Sequence, residues 1–291
     1  MCIVRRIIKY MSEISDKVNK VKNLIENADY ILIGGGSGLS TSAGLEYSGK
    51  RFEENFKEFI DKYHFTDMYT AGFYDFGTEE EKWAFWSKYI FLNDTGIGAT
   101  KLYKDLLEVI KNKEYFVITT NVDEQFYKAG FDKTKVFATQ GCYRYIQCSK
   151  ACHNKLYDAT DLVQEMVEKT KDCKIPLELV PICPVCGEKM DVNVRVDANF
   201  IQDDNWYVQD RRYSEFLDKA KDKNVVLLEL GVGFNTPGII RIPFEQMTYQ
   251  NLNWNLIRIN MNDCNTFLHI DYKSVLIQGD INEIISLLKC F

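Results

Sequence analysis

A short apolar run, Tyr30-Ile31-Leu32-Ile33, passes directly into Gly34-Gly35-Gly36-Ser37-Gly38-Leu39-Ser40-Thr41-Ser42-Ala43-Gly44. An unbroken apolar run of this kind fits a strand buried on both faces, as in parallel sheets covered by helices. Glycines straight after such a strand let the backbone turn sharply into a helix. The first N–H groups of that helix are free to meet an anion such as a pyrophosphate. The turn is an incomplete dinucleotide fingerprint, because counting from Gly36 the third glycine falls at Thr41. It is not a P-loop either, since no Gly-Lys-Ser/Thr follows. Taken alone, the segment also reads as an ordinary glycine-rich strand–helix turn.

The rest of the chain repeats the strand–helix rhythm. Further buried strands are expected at Tyr115–Ile118, Val225–Leu230, Leu256–Ile259 and Ser274–Ile277. Amphipathic helices are expected at Ser12–Ala28, Lys101–Lys111, Arg211–Lys223 and Ile281–Leu288. This alternation predicts an α/β fold, a Rossmann-like parallel sheet with helices on both faces. Two stretches break the rhythm. Residues 50–94 are helical in pattern and rich in aromatics, including Phe73, Tyr74, Phe76, Trp83, Phe85, Trp86, Tyr89 and Phe91. Those rings could line a ligand cleft or form the core of a small helical insert. Residues 142–193 hold a cysteine cluster. The two inserts are expected to form a smaller module, a helical insert plus a zinc ribbon. Residues 12–49, 95–141 and 194–291 then make the Rossmann-like domain, and residues 1–11 a tail that is disordered or an extension.

Composition narrows the function classes. The chain has 291 residues, 46% of them hydrophobic and 27% charged, enough for a sizeable core. A net charge of −6 argues against a nucleic-acid or acidic-lipid surface. No apolar run approaches the roughly eighteen residues of a membrane span. Nine cysteines without an export signal point to a reducing, cytoplasmic compartment.

Four of those cysteines are spaced as ligands: Cys148-x3-Cys152, then thirty residues, then Cys183-x2-Cys186 followed by glycine. Two such pairs suit a tetrahedral Zn2+ held by four thiolates, which leaves no open position and makes the metal structural. His153 is a competing ligand. Cys2, Cys142, Cys173, Cys264 and Cys290 lack pair spacing and are expected to be free thiols. A third segment, Thr119-Thr120-Asn121-Val122-Asp123, falls at the C-terminal end of the second strand, where ligands collect in open α/β sheets. A polar strand-to-helix turn reads the same way. Thr139-Gln140-Gly141 precedes the cysteine module.

Together these residues resemble the sirtuin family, over about residues 28 to 288. Gly36–Ser40 with Ala43-Gly44-Leu45 is similar to the family's Gly-Ala-Gly-Ile-Ser turn, and Thr119–Asp123 to its Thr-Gln-Asn-Ile-Asp. The cysteine pairs stand where sirtuins carry zinc. Gly231-Val232-Gly233 resembles the Gly-Thr-Ser that meets a ribose, Ile259-Asn260 the Ile-Asn before the adenosine contact, and Gly279-Asp280 the Gly-Asp before the last helix. The resemblance implies NAD as co-substrate, held by Gly36, Ser37, Gly38, Ser40, Gly44, Asn121, Asp123, Gln140, Gly231, Gly233, Asn235, Asn260, Asp280 and Ile281. It also implies that Asn121 orients the nicotinamide ribose and Asp123 bonds the carboxamide.

The departures carry more information. Family deacylases have His-Gly where this chain has Gln140-Gly141, and a glutamine cannot take a proton near neutral pH. A positioned base contributes about 10²–10⁴-fold. The three histidines, His64, His153 and His269, all lie elsewhere in the sequence. The peptide-binding segment becomes Arg195-Val196-Asp197-Ala198-Asn199, and Pro-Asp-Phe-Arg becomes Glu46-Tyr47-Ser48-Gly49. This pattern resembles the macrodomain-linked class M sirtuins. It implies protein ADP-ribosyl transfer with Asn121, Gln140 and Asp123 as catalytic residues, and Arg195 stabilising an acceptor carboxylate or the phosphates. A lipoylated carrier similar to the glycine-cleavage H protein is implied as acceptor, with a macrodomain hydrolase reversing the mark. Two alternatives stand beside it: a deacylase working without histidine, and an NAD-binding protein with little catalysis or a plain NAD glycohydrolase.

Overall fold

The computed structural model describes residues 2–289, with side chains from residue 12 onward. Its main sheet has six strands, all parallel: β1 (Tyr30–Gly35), β2 (Glu114–Thr119), β3 (Val136–Ala138), β7 (Val225–Leu230), β8 (Trp254–Asn260) and β9 (Ser274–Gln278). They lie in the order β3-β2-β1-β7-β8-β9. The chain winds outward in one direction from β1 to β3, then returns beside β1 at β7 and winds the other way. The crevice at the C-terminal ends of β1 and β7 is therefore the topological switch point, where open α/β sheets bind ligands.

Alternation along the strands feeds two cores. Ile31, Ile33, Val117, Leu228 and Ile257 face one layer of helices, Cys2–Asn27, Lys101–Ile110 and Ile281–Lys289. Leu32, Phe116, Leu227 and Leu256 face the other, Asp204–Ala220 and Arg241–Gln250. Burial of such side chains stabilises by about 1.5–3 kcal/mol each. The first helix runs longer than the Ser12–Ala28 periodicity. It takes in residues 2–11, expected as a disordered tail or an extension, while the thiols of Cys2 and Cys290 lie outside the described residues.

The inserts share a third core. Helices Lys50–Asn55, Lys57–Tyr63, Met68–Ala71 and Glu79–Ile90 pack with a three-stranded antiparallel sheet, β4 (Gly141–Cys148), β5 (Tyr157–Asp158) and β6 (Met190–Val194). The Glu79–Ile90 helix starts where Thr78 accepts the Glu81 N–H, with three glutamates in its first turn against the helix dipole. Trp83, Phe85 and Tyr89 are buried, so most of the aromatic stretch is core, whereas Phe73 and Tyr74 are exposed. No helix of the described residues is long and apolar enough to cross a membrane.

Candidate active site at the strand ends

The turns after β1 and β7 dock backbone to backbone. Gly36 N–H donates to Leu230 O (3.0 Å) and Gly38 N–H to Gly231 O (2.9 Å). A Cβ on Gly231, at φ +63°, would sit 2.4 Å from Leu39 N; one on Gly36 would sit 2.6 Å from Gly231 O. Only glycine allows this approach, and the left-handed φ costs other residues roughly 1–2 kcal/mol. The helix Ser37–Ser42 thereby starts over the crevice, with Ser37 exposed.

A closed polar network lies against that helix. Ser40 Oγ donates to Asp123 Oδ2 (2.5 Å) and pairs with Tyr103 Oη (2.8 Å). Asn121 Nδ2 donates to Gly36 O, Ser40 Oγ and Tyr103 Oη at 3.0–3.1 Å. Asp123 is buried, and its Oδ1 accepts the Gln125 N–H. Burial pushes its carboxyl above the usual carboxylate range, with the Ser40 hydrogen bond opposing. A carboxamide would share oxygens already engaged. Below, buried Asp94 pairs with Lys128, and burial pushes the Asp94 carboxyl up to about 7, with Lys128 opposing.

On the other side of the switch point stand Gly231, Gly233, Asn235 and Asn260. Gly233 and Asn235 are exposed. The Asn260 amide donates to Val232 O (3.0 Å), and its Oδ1 accepts the Asn262 N–H (3.0 Å), tying the turns after β7 and β8 together. Three candidates fall outside this group. Gly44 (φ +89°) turns the chain out of the short helix, Asp280 caps the last helix through the Asn282 N–H (2.7 Å), and Ile281 is a core side chain.

Gln140 lines a neighbouring open cleft with Arg195, Val196, Asp197, Thr236, Gly238 and Ile239. The Arg195 N–H donates to Gln140 O (3.0 Å), and the exposed guanidinium lies 5.7 Å from the Phe200 ring centre. Among the described residues nothing hydrogen-bonds the Gln140 side-chain amide. Tyr103 joins the site without any sequence signal, as does Tyr143, whose hydroxyl meets those of Tyr89 (2.8 Å) and Tyr47 (3.3 Å). Each looks in sequence like an ordinary core aromatic.

The cysteine pairs converge. Cys148 Sγ lies 3.6 Å from Cys186 Sγ, Cys152 Sγ lies 3.7 Å from Cys183 Sγ, and all four sulfurs fall within 4.8 Å of one another. Zn–S bonds of about 2.3 Å in a tetrahedron place sulfurs about 3.8 Å apart, so the residues fit a structural zinc. His153 Nε2 contacts the Cys183 sulfur (3.5 Å) and supports it without displacing a cysteine. Cys142, Cys173 and Cys264 form no disulfide.

No family model matches the chain. A "Protein ADP-ribosyltransferase" of Staphylococcus aureus is 37% identical over 277 residues, covering 95% of this chain and 88% of that protein. A "Probable bifunctional ADP-ribose hydrolase/ADP-ribosyltransferase" of Fusarium oxysporum f. sp. cubense is 30% identical, covering 91% of this chain and 46% of that longer protein. Among solved structures, a mutant Sir2 homologue in complex with ADP-ribose superposes with TM-score 0.59 at 14% identity, covering 93% of this chain and 94% of that one. Sir2Tm bound to a propionylated peptide gives TM-score 0.57 at 17% identity, covering 93% and 96%. The fold is that of the sirtuins, and the chain belongs to the protein ADP-ribosyltransferases built on it.

Proposed function

We propose that this NAD-dependent protein ADP-ribosyltransferase uses Asn121 to orient the nicotinamide ribose and the Gln140–Arg195 cleft to receive the acceptor. The carrying observation is Gln140. It lines the open cleft with Arg195 and Thr236, its side-chain amide has no hydrogen-bond partner among the described residues, and no histidine accompanies it. His153 is spent on the cysteine cluster, His64 closes the helix Lys57–Tyr63, and His269 lies ahead of β9. Deacylation needs a proton acceptor at this place. Transfer to a nucleophilic acceptor needs much less, because nicotinamide leaves a cationic pyridinium as a neutral base.

In this reading the pyrophosphate meets Gly36, Ser37, Gly38 and the helix they open, while Ser40 and Asp123 hold Asn121 in place. The adenosine half lies over Gly231, Gly233, Asn235 and Asn260. Gly44, Asp280 and Ile281 contribute through backbone shape. The C–N glycosidic bond of NAD breaks, nicotinamide departs, and the acceptor atom bonds the ribose carbon and loses its proton to solvent. Gln140 hydrogen-bonds the ribose hydroxyls or the acceptor, and Arg195 offers a fork to an acceptor carboxylate or the phosphates. Rate then comes from positioning and water exclusion. Residues 12–49, 95–141 and 194–291 serve as the NAD-binding domain, and 50–94 with 142–193 as the module that frames the acceptor cleft. A lipoylated carrier protein is the proposed acceptor, a macrodomain hydrolase the proposed eraser, and the cytoplasm the proposed compartment.

Labelled NAD incubated with a cell extract tests this. Label moves onto a specific protein with the wild type. Asn121→Ala loses that transfer while its melting curve stays cooperative. Deacylation of an acyl-lysine peptide that disappears in Gln140→Ala would refute the mechanism.

A further inference from the structure

Strand β7 is buried along its whole length, yet it carries Glu229. Directly opposite in register on β8 stands Arg258. Arg258 Nε and Nη2 donate to the two oxygens of Glu229 at 2.7 and 2.9 Å, and Nη1 donates to Glu245 Oε1 at 2.9 Å. Glu245 Oε2 in turn accepts the N–H groups of Phe267 (2.7 Å) and Leu268 (3.2 Å). Arg241, wholly buried at the start of its helix, completes the group 3.8 Å from Glu229. Two arginines face two glutamates, so the buried cluster is neutral.

A buried ionic cluster is a poor device for stability alone, since well-packed apolar residues often do as well. This one is spent on loop carbonyls at the strand ends. Arg241 Nη1 donates to Val232 O (3.3 Å) and Asp263 O (3.4 Å), and Nη2 to Asn265 O (2.9 Å). Its Nη2 also pairs with Asp263 Oδ1 (3.4 Å), and its guanidinium lies under the half-exposed Phe234 ring at 4.4 Å. Val232 and Phe234 belong to the turn after β7, and Asp263 and Asn265 to the turn after β8. The Val232 carbonyl is the same one that accepts the Asn260 amide.

We propose that Arg241 is a positioning residue for the adenosine half of NAD, locking the turns after β7 and β8 at the separation that half requires. The inference rests on the placement of NAD over Gly231, Gly233, Asn235 and Asn260. Arg241 touches no substrate; it acts through Val232, Phe234 and the 263–265 carbonyls. A lysine keeps the charge beside Glu229 but has one short point of donation and cannot span both turns.

The test is ADP-ribose binding by calorimetry together with NAD steady-state kinetics on the full chain. Arg241→Lys lowers ADP-ribose affinity and raises KM for NAD by about ten- to a hundred-fold, the loss of charge-assisted hydrogen bonds, with kcat within about two-fold. A purely structural role would instead reduce the active fraction, and so kcat, at unchanged KM. If Arg241→Lys does not fold, Phe234→Leu decides the matter. It leaves the buried charges intact and weakens affinity about two- to five-fold through the lost cation–π contact. ADP-ribose affinity and KM at wild-type level in the folded variant overturn the proposal. A wild-type protein that binds no ADP-ribose overturns the placement of NAD itself.

Discussion

The docking of the two turns makes Gly231 a sensitive backbone position in the site. Gly231→Ala places a methyl group 2.4 Å from Leu39 N and 2.5 Å from the Gly38 carbonyl carbon, all of it backbone. No flexible side chain can yield there, so one turn must move. The left-handed φ of +63° costs alanine about 1–2 kcal/mol, and forced overpacking costs about 1–3 kcal/mol more. At about 2–4 °C per kcal/mol for a chain of this size, a loss of 2–5 kcal/mol lowers Tm by roughly 4–20 °C. The displaced turn carries Gly36, Gly38 and the start of the Ser37–Ser42 helix, so KM for NAD rises as well. Differential scanning calorimetry and NAD kinetics read the two effects. Gly233→Ala is the internal control. Its Cβ meets nothing within 4 Å, and its Tm stays within about 1 °C of wild type, as surface changes do. An equal loss of Tm from both substitutions, or an undisturbed Tm in Gly231→Ala, would refute the reasoning from close approach.

Three further outcomes follow from the packing. Metal analysis finds one zinc per chain; chelation or Cys183→Ser lowers Tm and exposes the remaining thiols to a thiol reagent, and a metal-free protein of unchanged Tm would end the zinc reading. The Asp94 carboxyl is held at about 7 against an ordinary 3.8, so the folded state binds its proton more tightly than the unfolded chain. This group's contribution to stability therefore falls as pH rises from about 4 to about 7, and the penalty is complete above that. Asp94→Asn flattens the urea midpoint across that window, and an unaltered slope counts against the assignment. Glu229→Gln strands two buried guanidinium groups with one carboxylate and costs about 3–5 kcal/mol in urea unfolding; a loss under about 1 kcal/mol would show the cluster to be solvated in solution.

Much of the fold is legible in the sequence because periodicity survives packing. All five parallel strands expected from apolar runs are present, extended by up to two residues at an end. The sixth strand, Val136–Ala138, has no sequence signal, because three residues at a sheet edge carry no period. The helix Arg241–Gln250 escapes the pattern for a physical reason. Its sequence, Arg-Ile-Pro-Phe-Glu-Gln, buries Arg241 and Glu245 instead of presenting an apolar stripe, so the usual signal is inverted. The signal that could find it is Glu229, an acid inside a strand otherwise made of valine and leucine. A buried charge demands a partner, and the neighbouring strand carries Arg258 within its own apolar run, Leu256–Ile259.

The glycine turn shows where sequence logic reaches the right place through an incomplete cause. Glycine after a buried strand is expected for close approach to a pyrophosphate. The structure shows that Gly36 and Gly38 are required first by Gly231, across the switch point. This explains why the third glycine of the dinucleotide fingerprint can be absent. That glycine serves helix–strand packing in other folds, whereas here the short Ser37–Ser42 helix is fixed by Ser40, through Asp123, Tyr103 and Asn121. Asn121 is thus a strut of the turn and, in the proposed reading, also the group that orients the nicotinamide ribose. With NAD placed as proposed, its removal should disturb the nicotinamide end without touching the adenosine end, where Arg241 holds the turns after β7 and β8. The two braces share no side chain, so substitutions at Asn121 and Arg241 should act additively on NAD binding. A coupling energy above about 0.5 kcal/mol between them would mean that the Gly36–Gly231 contact transmits strain from one brace to the other.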